Sequence, residues 1–181
     1  MRVISGIAKG RKLATPKGGA LRITADRIKE SLFDILGSLD GSIFLDLYAG
    51  SGNVGIEALS RGAERCVFIE NRRTHAAQIE KNLSLTGLSG GKVIVLSVQK
   101  ALKQLHERKE RFDIIFADPP YRQGMVAPTI RMISQGRLLS TLGIVVIEHS
   151  ALESCEGERE LSIYDQRRYG DTIITFLTTS E

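Results

Sequence analysis

Two short stretches hold residues whose types and spacing could do chemistry. The first is LDLYAGSGNVG, Leu45–Gly55, with glycines at 50, 52 and 55 in the spacing G-x-G-x-x-G. Glycines so placed, after a strand and before a helix, let the chain turn tightly and let a nucleotide-like ligand approach the backbone. Glu70 stands 20 residues after Gly50, where a carboxylate can accept hydrogen bonds from both hydroxyls of a ribose. A nicotinamide dinucleotide and other adenosine cofactors fit those features equally. Asp46, just ahead of the glycines, separates them. A carboxylate aimed at the helix N-terminus would repel a pyrophosphate, whereas it suits a ligand carrying an ammonium and a sulfonium, as S-adenosylmethionine (SAM) does. A chain of 181 residues also leaves no second domain to hold the substrate of a dehydrogenase.

The second stretch is Asp118-Pro119-Pro120-Tyr121, at the end of the apolar run FDIIFAD. In an open α/β sheet, ligands bind outside the carboxyl ends of the strands. Two prolines fix φ and remove backbone donors, leaving their carbonyls as acceptors. Asp118 adds a carboxylate and Tyr121 a flat ring. That set suits an exocyclic amino group on a nucleobase, a poor nucleophile because its lone pair is delocalised into the ring. The Asp118 side chain and the Pro119 carbonyl can each take one N–H, favouring a pyramidal nitrogen whose developing charge Asp118 stabilises. Tyr121 can stack on a base that has left its own stack.

These residues need elements to position them. RITADRIKESLFDILG carries Ile28, Leu32, Ile35 and Leu36 at helical spacing, with Thr24 or Asp26 to cap it and Gly37 to end it. Strands are expected at 42–47, 66–70, 93–97, 112–118 and 143–149, alternating with helices near 54–61, 73–85, 99–107 and 125–136. Runs as apolar as these predict a parallel sheet covered on both faces by helices. After position 155 the pattern changes to two strands joined at Gly170-Asp171, a hairpin signal. Residues 2–13 read as two short strands around Ala8-Lys9-Gly10, followed by the loop Thr15–Gly19.

Charge is unevenly spread. Residues 1–30 hold eight bases (Arg2, Lys9, Arg11, Lys12, Lys17, Arg22, Arg27, Lys29) against two acids, Asp26 and Glu30, which leaves +6. The whole chain carries +4, so the other 151 residues sum to −2. A basic arm on a near-neutral body predicts a polyanionic partner. No apolar run reaches the roughly 18 residues a membrane span needs. MRVISGIAKGRK lacks the apolar segment of a secretory leader, and Cys66 and Cys155 read as reduced thiols, so a cytoplasmic protein is expected. His75, His106 and His149 lack ligand spacing; each reads as a surface or strand-end residue, and no metal is expected.

With these residues in view, the chain resembles the class I SAM-dependent methyltransferases that modify amino nitrogens through a [DNS]PP[YFW] motif. The D-x-x-x-G-x-G of Asp46, Gly50 and Gly52 is the SAM form of the glycine loop. More narrowly, the chain is similar to the ribosomal small-subunit methyltransferase D family. MRVISGIAKGRKLATP, RITADRIKESLFDIL, LDLYAGSGNVGIEALSRGA, FIENR, FDIIFADPPY and RRYGDT follow in that family's order. The resemblance implies a Rossmann-like, mostly parallel seven-stranded sheet with helices on both faces, preceded by a small N-terminal β-hairpin and helix. It implies a single domain over 1–181, with a basic RNA-contacting extension at 1–37 and a SAM-binding catalytic core at 38–181. The implied activity is methyl transfer from SAM to N2 of a guanine in 16S ribosomal RNA, free or within a small-subunit particle, by a monomer. Alternatives with the same chemistry are adenine N6 or protein glutamine N5. A non-catalytic RNA-binding or assembly protein and a nicotinamide-dependent oxidoreductase are the other classes.

The resemblance assigns catalysis to Asp118, Pro119, Pro120 and Tyr121. It assigns SAM binding to Asp46, Tyr48, Gly50, Ser51, Gly52, Asn53, Glu70, Asn71, Ser97 and Val98, and RNA contact to Arg2, Lys9, Arg11, Lys12, Arg22 and Arg27, with help from Thr24 and Arg27 in closing over SAM. Two departures stand out. Arg22-Ile23-Thr24 replaces the family's Arg-Pro-Thr, and Ser97-Val98 replaces an Asp-Ala pair whose carboxylate meets the adenine amino group. Ser97 Oγ or the Val98 N–H would have to serve there.

Overall fold

The computed structural model describes residues 1–14 and 23–179, with backbone alone at 23–25. Thr15–Gly19, Lys17, Arg22 and the Thr24 side chain lie outside what is described. The seven strands and five helices named below form an α/β fold. The strand order is β3-β2-β1-β4-β5-β7-β6. The chain divides into two compact units, Met1–Leu96 and Ser97–Glu181. Among the described residues no helix is long and apolar enough to cross a membrane.

The first unit contains α1 (Ile23–Leu36), β1 (Ile43–Leu47), α2 (Asn53–Ser60), β2 (Arg65–Glu70), α3 (Arg73–Thr86) and β3 (Gly91–Val95). α1 buries Ile28, Leu32 and Phe33, one stripe of its surface, and ends at Gly37 in the left-handed region (φ 72). β1 and β2 are buried at nearly every position, so both faces are covered. They run parallel, with Asp46 opposite Phe68 and Leu47 opposite Ile69. Their carboxyl ends therefore emerge at one edge, which brings Glu70 beside the turn that follows β1. β3 departs from expectation. It spans Gly91–Val95 rather than 93–97, and its residues are exposed or half-buried, as suits an edge strand.

The expected N-terminal hairpin is reduced to a single antiparallel bridge, Arg2 with Lys12. Three backbone bonds surround it: Val3 N–H to Arg11 O, Gly10 N–H to Val3 O and Leu13 N–H to Met1 O, at 3.0, 2.9 and 3.1 Å. A longer ladder would need amides that are already engaged. Ile4 and Ser5 donate to the Glu57 carboxylate, while Ile7 and Ala8 donate to Ser60 O and Oγ. The arm thus lies on α2 and buries Val3, Ala8 and Leu13.

The second unit holds α4 (Val98–Glu107), β4 (Phe112–Ala117), α5 (Val126–Gly136), β5 (Leu139–Ser150), β6 (Leu161–Tyr169) and β7 (Thr172–Thr179). β4 and β5 are parallel, with Ala117 opposite Ile147, so the chain leaves β4 at Asp118 level with Glu148. β7 pairs antiparallel with β5, setting Ser150 opposite Thr172. The β6–β7 hairpin turns at Gly170 (φ 62), as the Gly170-Asp171 pair predicts.

Candidate active site

The turn after β1 is shaped by main-chain bonds. Tyr48 (φ 60), Gly50 (φ 56) and Gly52 (φ 76) all lie in the left-handed region. For the tyrosine this costs about 1–2 kcal/mol, strain of the kind that gathers at ligand sites. Gly50 N–H donates to Glu70 Oε2 at 2.9 Å, and Arg72 N–H donates to Glu70 Oε1 at 2.8 Å. Both oxygens of this buried carboxylate are therefore oriented before any ligand arrives, and each retains a lone pair for a hydroxyl. Asn71, next in the chain, is exposed, and His75 Nδ1 stands 3.7 Å from Glu70 Oε2.

The three glycines serve different ends. A Cβ on Gly50 would meet nothing nearer than Tyr48 O at 3.9 Å, so that side of the turn is open. One on Gly52 would press on Ile79 at 3.0 Å, and one on Gly55 would collide with Cys66 Sγ and the Phe68 ring. Gly55 is thus what lets α2 lie close on β2. Its N–H donates to Asp46 Oδ2 at 2.9 Å, so Asp46 caps the first turn of α2 from the end of β1. Asp46 is fully buried, and its carboxyl is pushed up to about 7, chiefly by burial and further by the Glu70 charge, against the pull of the Gly55 N–H.

Side chains not anticipated from the sequence hold this turn from behind. Asn82 on α3, fully buried, donates to Ser51 O at 2.9 Å and to Ala14 O at 3.1 Å, and accepts from Ala14 N–H at 2.8 Å. Lys29 on α1 donates to Asn53 Oδ1 at 2.8 Å and to Arg2 O at 2.9 Å, and pairs with Glu57 Oε2 at 3.1 Å. Glu57 is 0% exposed and also takes the Arg61 guanidinium at 2.9 Å. Burial lowers the Lys29 ammonium despite the Glu57 charge beside it. Lys29 is 3% exposed, so one of the eight bases counted toward the arm's charge is withdrawn from any phosphate. The sequence did carry a signal: Glu57 is a lone acid inside the apolar stretch GIEALS. Arg2, Lys9, Arg11, Lys12 and Arg27 are exposed; Arg22 lies outside the described residues.

In the second unit the Asp118–Tyr121 loop leaves the end of β4. Asp118 and Pro120 are exposed, Pro119 is buried and Tyr121 is half-buried. The Tyr121 hydroxyl donates to Glu148 Oε1 at 3.1 Å and lies 3.3 Å from Thr172 Oγ1. Burial, then the Glu148 charge, pushes the phenol well up, with Asp118 adding a smaller push. The hydroxyl therefore stays protonated and the ring is pinned at its far end. Ser97 is the N-cap of α4, its Oγ accepting from Lys100 N–H at 3.4 Å; Val98, the first helical residue, is buried. β3 stops at Val95, two residues early, so Ser97 faces helix capping rather than a strand end. His149, near the end of β5, is buried and not on the surface. Its Nε2 lies 2.9 Å from Thr175 Oγ1 and its Nδ1 3.0 Å from Ser150 O. Among the described residues no group of three or more His, Cys, Asp or Glu could hold a metal ion.

The topology, the glycine turn and the loop after β4 define a class I methyltransferase fold. The solved SAM-dependent methyltransferase from Agrobacterium tumefaciens shares that fold, with a TM-score of 0.64 over 86% of this chain and 62% of that one at 16% identity. Closer in sequence is a solved hypothetical protein of Thermus thermophilus, 30% identical, with a TM-score of 0.84 over 97% of this chain and 98% of that one. The family model described as Conserved hypothetical protein 95 matches residues 1–178. The ribosomal RNA small subunit methyltransferase D of Haemophilus influenzae is 36% identical over 82% of this chain and 78% of its own length. The chain belongs to this family of methyltransferases.

Proposed function

We propose that the protein transfers a methyl group from SAM to the exocyclic N2 of a guanine in 16S ribosomal RNA. The observation that carries the reading is the Asp118–Tyr121 loop: an exposed carboxylate beside a tyrosine ring whose hydroxyl is tied to Glu148 and Thr172. Kinship with the Haemophilus influenzae enzyme of that name supports ribosomal RNA as the substrate. The first unit fits the cofactor. Glu70, oriented by two backbone amides, has lone pairs for the ribose hydroxyls, and the open side of Gly50 leaves room for the ligand. Asp46 already occupies an amide at the start of α2, which disfavours a pyrophosphate and hence the nicotinamide reading.

When bound, SAM supplies a methyl group made electrophilic by its sulfonium. The residues of the chain do the rest. Asp118 accepts one N–H of the guanine amine and the Pro119 carbonyl the other, so the nitrogen lone pair is released from the ring and aimed at the methyl. Asp118 offsets the positive charge that grows on nitrogen as the N–C bond forms and the methyl–sulfur bond breaks with its electron pair left on sulfur, and the nitrogen then sheds one proton through Asp118 to water. The pinned Tyr121 ring stacks on the extruded base. The arm, residues 1–37, meets phosphates through Arg2, Lys9, Arg11, Lys12, Arg22 and Arg27, giving affinity without reading sequence. On this reading the enzyme works as a cytoplasmic monomer on 16S RNA or on the assembling small subunit.

The test is transfer of tritium from methyl-labelled SAM to small ribosomal subunits and to free 16S RNA, followed by digestion to nucleosides. Label in N2-methylguanosine is expected. Label in N6-methyladenosine, or in glutamine of ribosomal protein, would replace the guanine assignment with one of its rivals.

A further inference from the structure

The bases assigned to RNA contact, from Arg2 to Arg27, belong to the first compact unit, whereas the Asp118–Tyr121 loop belongs to the second. That loop is an awkward place for RNA. Exposed Asp118 and the Glu148 carboxylate both stand there, and they would repel the phosphates of any strand that delivers a base. A cation close to the loop, within the same unit, would offset that repulsion.

The strand pairing supplies one. β5 and β6 both pair antiparallel with β7, so β6 runs the same way as β5 and β4, and its last residues reach the edge where the acceptor loop starts. Residues directly opposite one another on paired strands share a face of the sheet. Ser150, Thr172 and Tyr169 form one such row across β5, β7 and β6; Glu148, Ile174 and Arg167 form the next. The Tyr121 hydroxyl meets a member of each row, Thr172 at 3.3 Å and Glu148 at 3.1 Å, so it lies on that face. Arg167 is therefore on the Tyr121 side of the sheet, two strand spacings or about 10 Å from Glu148. That is about one Debye length in 0.1 M salt, close enough for its charge to count. Arg168, paired with Ile173, falls on the opposite face; its Nε donates to Gly170 O at 3.0 Å and fastens the turn.

Arg167 is also built to hold an anion. Its Nε donates to Asp165 Oδ2 at 3.0 Å, which fixes the guanidinium and uses only one of its several N–H donors. The side chain is 56% exposed, and a planar fork of donors matches a phosphate. Exposed arginines are ordinary, and Arg159, before the other end of β6, is one. What distinguishes Arg167 is its row.

We propose that Arg167 is a phosphate anchor, holding the RNA strand beside the acceptor loop while the target base is bound at Tyr121. The proposal rests on the ribosomal RNA reading above and adds to it a contact in the second unit, which the basic arm does not supply.

The experiment compares full-length wild type with Arg167→Gln, Arg167→Lys, Asp165→Asn and Arg159→Gln, using small ribosomal subunits as the probe. RNA affinity against salt, kcat, KM, SAM affinity and the melting temperature are read. Arg167→Gln is expected to weaken RNA binding about tenfold at low salt. The slope of log affinity against log salt should fall by about 0.7–0.9, the share of one phosphate contact. KM for the subunits should rise in step while kcat changes less than about twofold, as for a contact made alike before and during transfer. Melting and SAM affinity should hold, since exposed ion pairs contribute little. Arg167→Lys keeps the charge and should keep the slope. Asp165→Asn removes the partner but not the guanidinium, so it too should keep the slope. Arg159→Gln removes the same charge at the other end of β6 and should match wild type. An unchanged slope in Arg167→Gln would overturn the anchor and leave the methyltransferase reading intact. So would an equal loss in Asp165→Asn, which would make the pair a brace of the hairpin, or in Arg159→Gln, which would make the effect one of net charge. Should the wild type label no RNA at all, the ribosomal RNA reading falls and takes the anchor with it.

Discussion

Around the glycine turn, the groups that orient the functional carboxylates are main-chain amides. Gly50 and Arg72 hold Glu70, and Gly55 holds Asp46. In the Asp118–Tyr121 loop the Tyr121 hydroxyl is held instead by side chains from later strands, Glu148 on β5 and Thr172 on β7. On the proposed function, the difference follows from what each region would recognise. A cofactor has one shape, and amides fixed by helix and strand geometry suit a ligand that never varies. An acceptor base would have to enter and leave, which suits a platform like the Tyr121 ring, held at one end next to a carboxylate exposed to solvent.

The comparison is broken most forcefully behind the glycine turn. Glu57→Gln keeps the shape but leaves Lys29 charged and buried without its counter-ion. A loss of about 3–5 kcal/mol in urea unfolding is expected. Adding Lys29→Met should recover part of it. The double variant should also bind SAM more weakly, since Asn53 loses the Lys29 ammonium that anchors it, a bond that Glu57→Gln alone leaves in place. A Glu57→Gln protein as stable as wild type would show that the arm is not held to α2 by this pair.

Asp118→Ala tests the other side. Its side chain is exposed, so stability should hardly change. The rate should fall about 10²–10³-fold, the usual cost of removing one group that stabilises developing charge, with SAM affinity in calorimetry nearly as before. A single substitution that damaged both would mean that the two regions do not divide the labour as described. Tyr121 should divide further. Tyr121→Ala loses stacking worth roughly 1–3 kcal/mol. Tyr121→Phe keeps the ring and loses only the tie to Glu148 and Thr172, so it should retain most activity. Equal loss in the two would move the importance from the ring to the hydroxyl.

This division also explains what could be read in the sequence. Asp46, the glycines and Glu70 are readable because strand–turn–helix spacing is local and β1 and β2 are consecutive. The DPPY stretch is readable for the same reason. The supports are not. Ile4 meets Glu57 across 53 residues, Ala14 meets Asn82 across 68 and Tyr121 meets Thr172 across 51. Residue type misleads there as well: Lys29 stands in a basic arm and reads as surface, yet packing makes it a buried strut. The apolar letters of VIVLS signal a buried strand, but the edge position exposes β3 and its hydrogen bonding stops at Val95.

The smallest expected effect concerns Asp46. Its carboxyl is raised to about 7 in the folded chain, from the 3.8 of an ordinary aspartate. A carboxyl whose folded value is raised binds its proton more tightly in the folded state, so its contribution is fully present below about pH 4 and lost as pH rises through 7. Between pH 6 and 8 the loss should be about 1 kcal/mol. Asp46→Asn can still accept the Gly55 N–H but cannot ionise. Without cofactor, its stability should therefore fall less across that range than that of the wild type, by about the same 1 kcal/mol. The sign reverses for binding. A cationic ligand favours the ionised carboxylate, so Asp46→Asn should bind SAM more weakly at pH 8, and saturating SAM should flatten the wild-type pH profile. If the variant bound SAM as tightly as wild type at pH 8, Asp46 would be a helix cap alone, and recognition of the cofactor would rest on Glu70 and the backbone of the turn.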